Sequence, residues 1–232
     1  MKIGIFTDSQ FSSAEVTCGN RYNNKSFEKI KEAYQFFVGE KCDLVVCLGD
    51  LIDREDEHIK EIENLEKISK LLTGYDIESR VVMGNHDAFA FDVDEFYSIL
   101  GEKFRPENMS VDNKNLIFLD TCYFKNGNHY KPGDTDWTDT YYPMAEELKK
   151  LLHDIDGQAY IFMHQNVDST IREDHRVYNS DDLHAIFKNS KKVKTVFQGH
   201  FHPGFSSVHD GIKYITYPAM CENDGAYYVV EI

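Results

Sequence analysis

Several apolar runs in this chain stop at residues that can bind a cation. Val81-Val82-Met83 gives way to Gly84-Asn85-His86-Asp87, which sets an amide, an imidazole and a carboxylate beside a glycine turn. Similar junctions recur at Gly49-Asp50, at His164 and at Gly199-His200-Phe201-His202, while Asp8 and Gln10 follow the apolar run Ile3 to Phe6. Together Asp8, Gln10, Asp50, Asn85, His164, His200 and His202 offer oxygen and nitrogen donors of intermediate hardness. Asp50, at a tight junction, is the candidate bridging carboxylate. Two cations ~3.5–4 Å apart can orient and acidify a water while stabilising charge on a phosphoryl group. The five cysteines form no CxxC pair and none accompanies these groups in sequence, so we expect structural or incidental thiols without disulfides or a thiolate zinc site.

Such donors must be held by regular elements. Leu44 to Leu48 and Arg80 to Met83 read as buried strands, and with Ile3 to Phe6 they make strand–helix–strand crossovers. The intervening helices carry Phe27, Ile30, Ala33, Tyr34 and Phe37, with Asn24 as cap, and then Ile59, Ile62, Leu65, Ile68 and Leu72. A short helix over 93–100 precedes a hairpin formed by 109–111 and 116–119. Helices over 144–153 and from a Ser180 cap flank strands 159–163 and 193–197. The segments 206–208, 212–216 and 226–232 read as short antiparallel strands. Donors beyond strand ends occupy the usual ligand-binding edge of an open α/β sheet. Residues 121–140 and 165–179 lack periodicity, and loops of that length are commonly functional or mobile. Tyr130 and Trp137 suit either a substrate cleft or a satellite core beneath the loop.

The 232 residues can bury one core, and no composition shift divides them, so we expect a single domain over 1–232. A formal charge of −15 disfavours stable binding to nucleic acid or an anionic membrane, both of which need a positive field. It leaves room for a phosphate ester in a pocket where bound cations reverse the local sign. The start reaches Asp8 too soon for a secretory apolar centre, and no apolar run approaches the ~20 residues of a membrane helix, so we expect a cytoplasmic location.

The ordered set Asp8-Ser9-Gln10, Gly49-Asp50-Leu51-Ile52-Asp53, Gly84-Asn85-His86-Asp87, His164 and Gly199-His200-Phe201-His202 resembles the calcineurin-like metallophosphoesterase family. The resemblance implies a four-layer α/β/β/α sandwich with two mixed β-sheets and a binuclear metal site at the strand ends. It implies that Asp8, Gln10, Asp50 and His202 hold one ion, and that Asp50, Asn85, His164 and His200 hold the other. His86 would assist the leaving oxygen, with Asp53 orienting it, while Asp87 reads as a structural hydrogen-bonder. Arg54 suits either a phosphate contact or an exposed ion pair.

Gln10 stands where the family usually has His. An amide oxygen is a harder, weaker ligand, which favours Mn2+ or Mg2+, with Fe, Co2+ or Zn2+ as further possibilities. Members that resemble this exchange cleave nucleotide pyrophosphates, so the expected substrate is a small phosphodiester or nucleotide-derived pyrophosphate, hydrolysed through metal-activated hydroxide. The alternatives are a phosphomonoesterase, a phosphoprotein phosphatase, or a non-catalytic protein-binding scaffold that kept the fold.

Overall fold

A computed structural model describes residues 1–232. In chain order it forms β1 (Lys2–Phe6), α1 (Ser26–Gly39), β2 (Leu44–Cys47), α2 (His58–Thr73), β3 (Glu78–Val81), α3 (Asn85–Ala90) and α4 (Val93–Leu100). The hairpin β4 (Met109–Val111) and β5 (Lys114–Leu119) follows, then α5 (Ala145–Asp154), β6 (Gln158–Met163), α6 (Ser180–Ser190), β7 (Val193–Gln198), β8 (Phe205–His209), β9 (Ile212–Thr216) and β10 (Tyr227–Glu231). Two mixed sheets result, ordered β10-β1-β2-β3 and β4-β5-β6-β7-β9-β8.

Strand periodicity sorts the apolar side chains into layers. Ile3 and Ile5 of β1 and Leu44 and Val46 of β2 point between the sheets, where they meet Leu116, Phe162 and Phe197. Phe6, Val45 and Cys47, one residue out of phase, face α1 and α2 through Ile30, Phe37, Leu65 and Ile68. The second sheet turns Ile117, Ile161 and Val196 outward onto Leu148 and Leu152 of α5 and Leu183 and Phe187 of α6. Each such side chain, fully buried, contributes about 1.5–3 kcal/mol. The order of layers is therefore α/β/β/α. It brings the carboxyl ends of β1, β2, β3, β6 and β7 to one cleft.

Several local expectations shift. Asn24 does not cap α1; Asn23–Lys25 form a 3-10 turn, and the helix starts at Ser26 without a side-chain cap. Asn23 is diverted to tertiary bonds, donating to the Gln10 carbonyl and to Asp53. Ser180 is the first residue of α6 rather than its cap, because Asn179 precedes it and exchanges two hydrogen bonds with the Tyr142 backbone. β3 occupies 78–81 rather than 80–83, since the chain must already be turning at Val82 to begin α3, an element the apolar pattern did not reveal. β9 runs parallel to β7 and antiparallel to β8, and β10 leaves that sheet to pair with β1. The hairpin turn is two residues, with Asp112 and Asn113 at φ 48 and 64°, as a type I′ turn requires.

Candidate metal centre

The two sheets supply different donors. Asp8 and Gln10 follow β1, Asp50 follows β2 and Asn85 follows β3, so the first sheet brings carboxylates and amides. His164 follows β6, and His200 and His202 follow β7, so the second sheet brings imidazoles. Their backbones turn sharply: Asp8, Gln10, Asp50 and His200 have φ of 51, 45, 52 and 64°. For non-glycine residues that conformation costs on the order of 1–3 kcal/mol each and persists only where the surroundings over-determine it. Main-chain bonds do so here: Asp8 N donates to Gly49 O (3.0 Å), Gln10 N to Asp50 O (2.9 Å) and Cys221 N to Asp8 O (2.9 Å).

The motif glycines clear space for these ligands. A Cβ on Gly84 would stand 2.2 Å from Asp50 Oδ1. One on Gly49, already at φ +106°, would stand 2.6 Å from His164 Nδ1. Neither position tolerates a side chain without displacing a donor.

Asp50 is buried at the centre. Its Oδ1 accepts the His86 amide at 2.8 Å, and its Oδ2 lies 3.3 Å from both His164 Nε2 and Gln10 Nε2. His164 Nδ1 lies 2.8 Å from the Leu48 carbonyl, to which it donates, so Nε2 faces the cluster, 3.2 Å from Asn85 Oδ1. Asp8 Oδ2 accepts from Thr7 Oγ1 (2.6 Å) and His200 N (3.0 Å). Asp8 Oδ1 accepts no hydrogen bond although it is buried, and its nearest charged neighbour is His202 Nε2 at 3.3 Å. His200 Nε2 is likewise buried without a partner.

Two orphaned atoms of ligand type in one cluster are informative. An unpaired buried polar group costs about 1–3 kcal/mol, and native structures hold few of them. A carboxylate oxygen and an imidazole nitrogen left free beside Asp50 and His164 fit divalent cations. Donor atoms of Asp50, His164 and His200 lie within 4.8 Å of one another. The cluster is a binuclear metal-binding arrangement of His and Asp ligands at the strand ends.

The buried charges act unequally on the three imidazoles. Burial depresses the His164 imidazolium, but the Asp50 carboxylate outweighs it and holds the group up to about 9. For His202, burial is likewise outweighed by the adjacent Asp8 carboxylate and by the hydrogen bond that the ring donates to Glu222, again up to about 9. His200 is pushed well down by burial and then by the His164 charge, which leaves it neutral, the form that ligates.

His86 Nδ1 lies 2.6 Å from Asp53 Oδ1, and its Nε2 is 4.0 Å from Asp50 Oδ2. Asp53 also accepts from Asn23 Nδ2 (3.0 Å) and the Arg54 amide (2.9 Å). The ring is thus aimed from behind. Burial lowers the His86 pKa, but the Asp50 charge and the Asp53 bond raise it overall. Asp87 takes a different part, accepting the amides of Gly84 (3.0 Å), Ile52 (3.1 Å) and Leu51 (3.2 Å) and so tying β2's turn to α3. Arg54 is not brought to the cleft: it is exposed, with Nη1 3.5 Å from the Asp134 carbonyl.

Other residues arrive that no spacing announced. The cluster opens into a cleft of about 450 Å3 whose walls include Cys18, Arg21, Trp137, His175 and Glu222. Arg21 Nε is buried without a hydrogen bond, 3.8 Å from Glu222 Oε1. Glu222 lies 2.5 Å from His202 Nδ1. His202, Cys221 and Glu222 group closely enough to suggest a further metal site. We reject it, because 2.5 Å is a hydrogen-bond separation, and two ligands ~2.0–2.2 Å from one tetrahedral ion stand farther apart. Glu222 instead accepts from His202 and turns Nε2 toward Asp8. Cys221 donates its thiol to Gln10 Oε1 at 3.5 Å, so one cysteine does accompany the cluster, contrary to expectation. Of the two loop aromatics left open, Tyr130 is buried against Phe89 and Phe124, whereas Trp137 lines the cleft.

Known proteins share this construction. A family model described as calcineurin-like phosphoesterase matches residues 1–204. A 3′,5′-cyclic-nucleotide phosphodiesterase of Nostoc sp. is 27% identical over 183 residues, 77% of this chain, and the chain spans 63% of that relative's length. A dimetal phosphatase from Danio rerio superposes with a TM-score of 0.83 at 17% identity, covering 99% of this chain and 91% of the other. A purple acid phosphatase from Lupinus luteus gives 0.60 at 14% identity over 100% of this chain and 46% of the other, a likeness of fold. The chain belongs to the calcineurin-like phosphoesterase family.

Proposed function

We propose that the protein, read as one domain over 1–232, hydrolyses a small phosphodiester or nucleotide pyrophosphate with two divalent ions, Mn2+ favoured. The observation that carries this reading is the pair of orphaned buried atoms, Asp8 Oδ1 and His200 Nε2, facing a ring of further donors. Asp8, Gln10, Asp50 and His202 would hold one ion, and Asp50, Asn85, His164 and His200 the other, with Asp50 shared. When bound, the ions supply Lewis-acid stabilisation at the phosphoryl group and acidity to the attacking water. Gln10 serves through its amide oxygen; the Oε1 and Nε2 ends of this side chain are interchanged by one rotation, and Cys221 can partner either end. His86, aimed by Asp53, donates a proton toward the departing oxygen. Arg21, which lines the cleft, takes the anion-binding part through its guanidinium, whereas Arg54 is exposed outside the cleft lining.

The cyclic-nucleotide activity named for the Nostoc relative and the Gln10 amide both favour a diester or anhydride over a monoester. No helix is long and apolar enough to cross a membrane, and the acidic surface suits a small substrate rather than nucleic acid. The test is metal analysis of the purified chain combined with a panel of p-nitrophenyl phosphate, bis-p-nitrophenyl phosphate, ADP-ribose and cyclic nucleotides under Mn2+, Mg2+, Fe2+, Co2+ and Zn2+. Two ions per chain with turnover of diesters or anhydrides is the expected result. Fully metallated protein inert toward every substrate would refute the reading and favour a scaffold.

A further inference from the structure

The wall opposite the strand ends carries a second imidazole that the hydrolytic scheme does not use. His175 lies in the irregular segment 165–179 and lines the metal cleft. Its ring is packed by Trp137, His200 and Phe201 at centroid separations of 4.9, 5.4 and 5.3 Å. Its main chain is held independently of the ring, with Asn166 N donating to His175 O (3.2 Å) and His175 N donating to Arg172 O (3.0 Å). The side chain is thus free to serve a ligand.

Its polarity is set from one side. Nδ1 lies 2.8 Å from Asp174 Oδ1, and the other oxygen of Asp174 is ion-paired with Arg172. The Asp174 carboxylate accepts from Nδ1–H, which leaves Nε2 as the ring's free polar atom. Nε2 has no partner within the protein and is not among the buried unpaired atoms, so solvent reaches it. A hydroxyl can both donate and accept, and so matches a ring nitrogen in this position.

We infer that His175, oriented by Asp174, shares a hydrogen bond with a hydroxyl on the organic group of the substrate, and that the preferred substrates are phosphoesters of a sugar or nucleoside. Trp137 supplies the planar apolar surface beside it on which such a group rests. This rests on the phosphohydrolase reading. It adds a specificity residue that acts on the part of the ester beyond phosphorus.

The test uses His175→Phe, which keeps a ring against Trp137, His200 and Phe201 while removing Nε2. Thymidine 5′-(p-nitrophenyl phosphate) carries a sugar hydroxyl, and bis-p-nitrophenyl phosphate carries none. At equal metal content, the variant is expected to raise KM for the thymidine ester about tenfold, the scale of one hydrogen bond. It should change kcat/KM for bis-p-nitrophenyl phosphate less than about twofold. Asp174→Asn should reproduce part of the KM effect by releasing the ring. Trp137 is the only tryptophan, so its fluorescence reports nucleoside monophosphate binding directly, and that affinity should fall in parallel in His175→Phe. Equal losses on both esters, or none on either, would overturn the assignment while leaving the hydrolase intact. A wild type inert toward both, with both ions bound, would overturn the underlying reading and this inference with it.

Discussion

The floor of the cleft and its outer wall hold their side chains by different means. On the floor, donors sit on tight strand-end turns whose main chains bond directly to one another, as Gln10 N does to Asp50 O. In the wall, main-chain bonds such as Asn166 N to His175 O (3.2 Å) shape the irregular segment, and side chains tie it to its surroundings: Asn166 Nδ2 donates to Gly199 O (3.0 Å) and Asn179 Nδ2 to Tyr142 O (2.9 Å). The first construction fixes donor positions at a backbone cost on the order of 1–3 kcal/mol per residue. The second is adjustable, one polar contact at a time. Under the proposed function, chemistry common to all phosphate esters belongs on the floor, and discrimination between them belongs on the wall.

The largest effect should come from the shared carboxylate. Asp50→Asn keeps the acceptor for the His86 amide but removes the negative charge between the two proposed ions. Turnover should fall by more than about 10³-fold, since the change exceeds loss of a single transition-state contact. Metal analysis should show fewer than two ions per chain. Retention of both ions with near-normal rates would break the floor's claimed centre.

His86→Ala separates chemistry from metal binding on the same floor. Its Nε2 is 4.0 Å from Asp50 and its ring is aimed by Asp53, so it is placed to act on substrate rather than to hold an ion. Turnover should drop by ~10²–10⁴-fold, the range for general acid–base groups, with metal content unchanged. Substrates with good leaving groups, such as nitrophenyl esters, should suffer least. A loss independent of the leaving group would remove His86 from proton donation.

How much of this was legible follows from the same contrast. Asp50, Asn85 and His200 were readable because each follows directly on a glycine just past a strand, at Gly49, Gly84 and Gly199. α3 was not, because its six residues start on the turn itself and leave no room for a helical period. Glu222 and Cys221 approach Gln10 and His202 only because the chain returns to β10 beside β1, a pairing that no local pattern encodes. Arg21 and His175 lie in irregular chain, where sequence offers neither period nor punctuation, and Trp137 could be read there only as suiting a cleft or a satellite core. Arg54 adjoins Asp53 in sequence and suits a phosphate contact on that ground, but its exposed side chain points to the Asp134 loop.

Gln10→His tests the division of donors between the sheets. The wild-type first sheet offers oxygen ligands while the second offers nitrogen, and this exchange would place an imidazole on the oxygen side. Preference for Zn2+ over Mn2+ should rise, on the order of tenfold in relative affinity. Competition binding of the two metals would measure it. The Cys221 thiol, which now contacts the Gln10 amide, must then pack against the ring. An unchanged metal preference would mean that residue 10 does not ligate.

The smallest effect belongs to the wall. Asp168 is buried and accepts from Ser207 Oγ (2.5 Å), Thr170 Oγ1 (2.6 Å) and the Thr170 amide (2.9 Å), with His209 Nε2 3.2 Å away. These contacts pin the 165–179 segment to β8. Burial alone would raise the Asp168 pKa, but the hydrogen bonds outweigh it and the net shift is downward. A depressed folded pKa means stability that is present above the unfolded value of about 3.9 and lost as pH falls through the lower folded value. Asp168→Asn should remove that acid dependence and cost ~1–3 kcal/mol, several degrees in Tm for a chain of this size. Trp137 lies on the neighbouring loop against His175, so its fluorescence should report the loosened wall while metal content stays at wild-type levels. If ion binding fell along with Tm, floor and wall would be one mechanical unit, and the distinction between fixed chemistry and adjustable recognition would fail.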